Sequence, residues 1–206
     1  MSTILAIDPG EKKSGWVFYA SENHAVVASG NSSNYEIVSD LRNYEYLPAH
    51  LCYVATGEKP VCRFGHGCHQ LVIEFPQVRG QMMKQQTIET IFWIGRFVEA
   101  WGGEWEKMDR KDVKLYLTGR VTSKDPHVRA AIIAQFPGTG GGSTPQIGIK
   151  KAQGPLYGVK DHAWQALGVA LTWAMKKEEE RRCQTNVKEH VSEQSTGTKL
   201  SEADLR

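Results

Sequence analysis

No stretch of this chain approaches the roughly 18 uninterrupted apolar residues of a membrane helix, and the first residues lack the charged start, long apolar core and small-residue cleavage site of a secretory signal. These absences lead us to expect a cytoplasmic protein. Cysteine is sparse, at four in 206 residues, and a cytosolic chain keeps its thiols reduced, which argues against a disulfide framework. An excess of one charge is missing too: 25 Lys and Arg stand against 23 Asp and Glu, a formal net charge of +2. That balance is compatible with a nucleic-acid partner without demanding one, so distribution matters more than total. No internal repeat is present, which excludes a solenoid or propeller array. What is there is a 40% hydrophobic content, enough at this length for one α/β domain with a core that stands alone.

Periodicity sets the organisation. TILAID at residues 3 to 8 is a β-type run, and GWVFYA and HAVVASG follow closely with Gly, Ser and Asn between them. Three antiparallel strands are therefore expected to open the fold. Residues 35 to 54 look helical but poorly defined, and LVIEF at 71 to 75 is a fourth strand. From 81 to 101 apolar residues recur at helical spacing and Gly102-Gly103 ends the run. EWEKM is a fifth strand, after which DRKDVKLYL and DPHVRAAIIAQF read as helices capped by Asp109 and Asp125. A Gly-rich loop then leads to a last helix expected over 161 to 177. The folded domain is thus placed at 1 to 177. Residues 178 to 206, charged and nearly free of large apolar side chains, are expected to be a solvated or disordered tail.

This order brings together acids distant in sequence. Asp8 ends the first strand, Glu74 ends the fourth, and Asp161 opens the last helix. An acid at the end of an apolar strand is costly to desolvate unless a positive group neutralises it, and like charges side by side raise that cost. A divalent cation does this well, and hard carboxylate oxygens without nearby thiols suit Mg²⁺ or Mn²⁺, which also bind substrate phosphates. Phosphoryl chemistry is the expectation.

The opening ILAIDPGEKKSGW, the strand LVIEFPQ and the segment KDHAWQALGVALTWA, in that order over roughly residues 3 to 175, resemble the RuvC-type Holliday junction resolvases of the ribonuclease H-like superfamily. The resemblance implies an α/β fold with a mixed five-stranded sheet, three antiparallel strands then two parallel, flanked by helices. It implies an endonuclease that cuts branched DNA such as a four-way junction by a two-metal mechanism. It also implies a homodimer, since a junction with paired strands is cut by two related sites. Asp8 and Glu74 match the family's first two catalytic carboxylates. The last helix of that family offers an Asp or His and, three residues on, an Asp; alignment puts His162 at the first place and Gln165 at the second. Glutamine is a poor Mg²⁺ ligand, so Asp161, four residues before Gln165 and on its helix face, is the expected third carboxylate. His162 is then a ligand or proton-transfer group. A viral or prophage source is a further expectation from the divergent last motif.

Basic residues supply candidate DNA contacts: Lys150, Lys151 and Lys160 in the loop, and Lys111 and Lys114 within a second basic group that also holds Lys107, Arg110, Arg120, Lys124 and Arg129. Phosphate contacts of this kind give affinity without sequence choice. Each candidate has a plainer role. Asp8 before Pro-Gly can be a turn residue, Asp161 a helix cap, His162 a surface histidine and the lysines solvated. The aromatic next to Glu74 is Phe75, which strand alternation turns to the opposite face. Within an insertion at about 52 to 70, Cys62, His66, Cys68 and His69 could hold a structural zinc, although their spacing matches no standard finger. The competing reading of the whole chain is a non-catalytic nucleic-acid-binding member of the same fold. A nucleotide-binding protein of the actin and sugar-kinase type shares the opening strands but needs a second such domain, for which the length leaves little room.

Overall fold

The computed structural model describes residues 3 to 43, 68 to 77 and 83 to 197. Five strands, β1 (Thr3–Asp8), β2 (Lys13–Ala20), β3 (Ala25–Ser33), β4 (Cys68–Phe75) and β5 (Trp105–Asp109), form one sheet in the order β3-β2-β1-β4-β5. The first three are antiparallel, and β1 with β4 and β4 with β5 are parallel. This is the mixed sheet the sequence led us to expect. Its centre is β1, whose Ile4, Leu5, Ala6 and Ile7 are all fully buried, because helices cover both faces of a central strand and leave no polar side.

Alternation along the strands divides the core. Leu5, Ile7, Trp16, Phe18, Leu71 and Ile73 point to one face, where they pack with Ile37, Val38 and Leu41 of α1 (Asn34–Arg42) and Trp93, Ile94 and Phe97 of α2 (Gln85–Trp101). Phe75 packs on this same cluster, which fixes its neighbour Glu74 on the other face. On the opposite side lie α3 (Arg110–Thr118), α4 (Asp125–Ala134) and the part of α5 (Ala163–Gly197) up to Thr172. Gly168 of α5 meets Val113 and Leu117 of α3 and Ile132 of α4, with 3.2 to 3.5 Å to a built Cβ. The compact unit extends to Thr172, and the remainder of α5 from Trp173 belongs to a second unit.

Several boundaries differ from expectation. The last helix begins at Ala163 and continues to Gly197, so the charged segment expected as a solvated or disordered tail is helical as far as Gly197, with residues 178 to 185 exposed along it. Exposed Lys177–Glu180 and Arg182–Glu178 pairs at helical spacing support that continuation. Asp125 is not the cap of α4: Lys124 takes that place, Asp125 is the first helical residue, and its carboxylate turns to Arg110 instead. Asp109 does cap α3 by position, but without a side-chain hydrogen bond. The Gly-rich loop contains a small hairpin, β6 (Gly148–Ile149) with β7 (Ala152–Gln153), and packs backbone on backbone: a Cβ at Gly154 would stand 2.3 Å from the Pro145 carbonyl oxygen. Most of the 52 to 70 insertion, and the side chains of Cys62, His66, Cys68 and His69 proposed for zinc, lie outside the described residues.

Candidate active site

Parallel pairing of β1 with β4 aligns Ile7 with Ile73, so the next residues, Asp8 and Glu74, stand side by side at the strand ends on one face. Both are largely shielded, with side chains 16% and 14% exposed. Burial, and after it the charge of Asp8, push the Glu74 carboxyl up to about 7, against a smaller opposing pull from Arg110. Two shielded, mutually repelling carboxylates at neighbouring strand ends favour a positive partner.

The turn after Asp8 is fixed by a buried polar network. The Gly10 amide donates to Ser14 Oγ at 3.2 Å, Ser14 Oγ donates to Asn34 Oδ1 at 2.7 Å, and Asn34 Nδ2 donates back to the Gly10 carbonyl at 3.0 Å. Ser14 and Asn34 are fully buried, so these bonds form away from competing water. The backbone amide of Asn34 also bonds the Lys12 carbonyl. Asp-Pro-Gly is therefore more than a solvent-facing turn; it is clamped to the start of α1.

His162 arrives from the other end of the chain. Gly15 is the partner of Asp8 across β1 and β2, and a Cβ there would fall 2.2 Å from the His162 carbonyl carbon and 2.6 Å from the Ala163 amide nitrogen. The missing side chain is what lets the segment before α5 lie directly on the strand. His162 Nδ1 then sits 3.1 Å from Asp8 Oδ2. That hydrogen bond raises the histidine's pKa, partly opposed by burial and helped by the charges of Asp8 and Asp161. On β3, Asn31 Nδ2 donates to the Lys160 carbonyl at 3.0 Å and pins the approach to this segment.

Asp161 is not in the first turn of α5 as expected. It precedes the helix with φ of 45°, a left-handed conformation that Asp tolerates better than most residues, and it is exposed. The helix-face relation to Gln165 therefore fails, yet both residues line one cleft of about 310 Å³ with Arg110, Asp125, Arg129 and Trp164. Gln165 Oε1 is buried with no hydrogen-bond partner. Among the described residues no three His, Cys, Asp or Glu side chains are grouped closely enough to hold a metal ion. Asp8, Glu74 and Asp161 are thus not a finished ligand cage. The donors suit one divalent cation at the Asp8 and Glu74 pair, with an unsatisfied amide oxygen in the adjoining wall.

The group that most alters this site is one the sequence reading counted only among the basic residues. Arg110, first residue of α3, donates from Nη1 to Glu74 Oε2 at 3.0 Å and from Nη2 to Asp125 Oδ1 at 2.7 Å. Burial opposes its charge, but the two carboxylates outweigh that and raise its pKa further. Lys12 and Lys13, in the GEKK of the opening motif, went unmarked; with Gly10, Glu11 and His162 they line a groove of about 490 Å³. Of the expected DNA contacts, Lys150 and Lys151 occupy the exposed turn between β6 and β7, Lys160 and Lys111 are exposed, and Lys114 is half-buried. Among the described residues, no hydrogen bond or ion pair links these lysines' ammonium groups to the carboxylate pair.

No family model matches the chain, and no curated protein matches it. Solved structures do. The Thermus thermophilus RuvC structure superposes with a TM-score of 0.54 at 15% identity, covering 86% of this chain and 96% of that one. T. thermophilus RuvC in complex with Holliday junction substrate gives 0.53 at 15% identity over 87% and 96%. At this identity the likeness is one of fold: the chain has the RuvC-like, ribonuclease H-like α/β architecture.

Proposed function

We propose that this protein is a divalent-cation-dependent endonuclease that cleaves phosphodiester bonds in branched DNA, with the four-way junction as substrate class, and that it acts as a homodimer. The observation that carries this reading is the pair of shielded carboxylates, Asp8 and Glu74, at neighbouring strand ends with His162 bonded to one of them. The fold shared with a protein solved on a Holliday junction supports the choice of substrate.

A bound Mg²⁺ or Mn²⁺ supplies charge stabilisation at the phosphate and a lowered pKa for a coordinated water. The chain's own residues do the rest. Asp8 and Glu74 provide the negative charge that retains the cation. His162 Nδ1–H is turned to Asp8, which leaves Nε2 as the nitrogen that takes or gives a proton. Lys12, Lys13, Lys150, Lys151 and Lys160, with Lys111 and Lys114 on α3, hold flanking phosphates and thereby the register of the DNA. Asp161, held in a left-handed turn beside His162, adds negative charge at the cleft mouth.

Two observations favour a second reading, a non-catalytic DNA-binding protein: Glu74 is already paired with Arg110, and Gln165 stands where the resembled family has a carboxylate. The two separate in a single assay. Labelled four-way junction and matched duplex are incubated with wild type, Asp8→Asn and Asp161→Asn, in Mg²⁺, Mn²⁺ or chelator. Paired nicks confined to the junction, abolished by chelator and by Asp8→Asn, are the expected result. Junction binding without cleavage in any cation would establish the binding protein instead.

A further inference from the structure

We infer that Arg110 stands where a second cation would act, so that each chain binds one divalent ion and the guanidinium supplies the remaining positive charge. This rests on the reading of the site as a cation-dependent nuclease and goes beyond it by fixing the number of ions.

Three observations converge. Arg110 reaches Glu74 Oε2 at 3.0 Å with its side chain only 22% exposed, so the contact is shielded from solvent. It is a fixed charge, because a guanidinium stays protonated at any working pH. The position expected to give a carboxylate to a second ion is Gln165, whose neutral amide brings no charge. A second divalent ion would have to share Glu74 with a cation already in contact with it. One divalent ion against Asp8 and Glu74, with Arg110 balanced by Asp125 at 2.7 Å, leaves the site near neutrality, whereas a second ion would leave it strongly positive.

The geometry also gives Arg110 something to do. Two of its five N–H groups are used by Glu74 and Asp125, and the residue lines the cleft with Asp161, Gln165 and Arg129. Arg129 is itself held over the Trp164 ring at 4.4 Å, a contact that orients a second guanidinium toward the same space. A phosphate oxygen entering the cleft meets donors preset on a rigid helix start, the role a second ion has in two-metal sites.

Mn²⁺ titration of the full-length protein without DNA tests this, read by calorimetric stoichiometry and by electron paramagnetic resonance, which separates an isolated Mn²⁺ from a coupled pair. Wild type and Arg110→Lys are expected to bind one uncoupled ion per chain. The double variant Arg110→Gln with Gln165→Asp, checked for native circular dichroism, is expected to bind two with a coupled spectrum. Two coupled ions in wild type would overturn the inference and leave the nuclease reading standing. A double variant that folds and still binds one ion would also overturn it, reducing Arg110 to a latch between β4 and α4. No Mn²⁺ bound by wild type, with Asp8→Asn indistinguishable from it, would remove the nuclease reading and the inference together. Should the double variant fail to fold, the wild-type stoichiometry alone still decides between one ion and two.

Discussion

Gly15 and Asp8 face each other across β1 and β2, and the glycine's empty side is filled by the backbone of His162 and Ala163. A methyl group cannot enter a space 2.2 to 2.6 Å from main-chain atoms without moving them. Gly15→Ala is therefore expected to push the start of α5 off the strand, with a stability loss of about 1–3 kcal/mol as for other overpacked sites, and to lengthen the His162–Asp8 bond. Cleavage should fall further than junction affinity, since Lys111, Lys114, Lys150 and Lys151 lie away from the displaced segment while Lys13 and Lys160 flank it; denaturant melts and gel-shift assays separate the two. Tyr19 offers a test independent of the site. Its hydroxyl donates to His24 Nδ1 at 2.6 Å, while His24 Nε2–H donates to the Gln135 carbonyl at 3.0 Å, joining the β2–β3 hairpin to the end of α4. Burial pushes the phenol up to about 12 from its ordinary 10.0. A raised folded-state pKa means that its contribution is complete below pH 10 and lost as pH rises through 12. Phenolate absorbance should show Tyr19 ionising last, together with unfolding, and Tyr19→Phe should remove that final step.

Among the elements, α1 does more than cover one face of the sheet. Its first residue, Asn34, is buried and closes the network through Ser14 and Gly10 that fixes the turn after Asp8. Ser33 caps the same helix in a reciprocal capping box with Glu36, so the helix start is held firmly where Asn34 needs to be. Asn34→Ala removes two hydrogen bonds and leaves Ser14 Oγ and the Gly10 carbonyl without their partner. Leaving buried polar groups unpaired costs about 1–3 kcal/mol each. Chemical denaturation should show a loss of that order, and Mn²⁺ affinity should weaken because Asp8 is no longer fixed. Asn34→Asp keeps an acceptor for Ser14 but loses the donor to Gly10, so it is expected to recover only part of the stability.

For the whole molecule, the two adjacent carboxylates are a folding cost that a cation repays. An ion that binds only the folded state adds about 2.7 kcal/mol at a hundred times its dissociation constant. Mg²⁺ or Mn²⁺ should therefore raise the melting temperature of wild type by several degrees and leave Asp8→Asn unmoved, as read by scanning calorimetry. The Asp8→Asn protein without metal should in turn melt above metal-free wild type, because one of two repelling charges is gone. That inversion of order between metal-free and metal-loaded samples would not arise if Asp8 were only a turn residue.

Much of this was legible in the chain. The spacing of apolar residues gave five strands in order, the long α2 and the helices after β5, and two acids at strand ends stood out because such residues are costly there without a partner. The resemblance of three motifs added a mixed sheet of three antiparallel strands and two parallel ones. By itself the sequence determined which segments can be strands and helices and that Asp8 and Glu74 are candidates, since periodicity and desolvation cost act locally. It misplaced the start of α5 and took Asp125 for a cap, because an N-terminal Asp reads the same whether it bonds its own helix or an arginine fifteen residues away. Only the tertiary structure decided that Arg110 meets Glu74, that Asn34 holds the turn after Asp8, that Gly15 seats His162, and that Asp161 lies outside the helix. Each of these depends on contacts between segments far apart in sequence, where packing geometry chooses among partners that local propensity cannot rank.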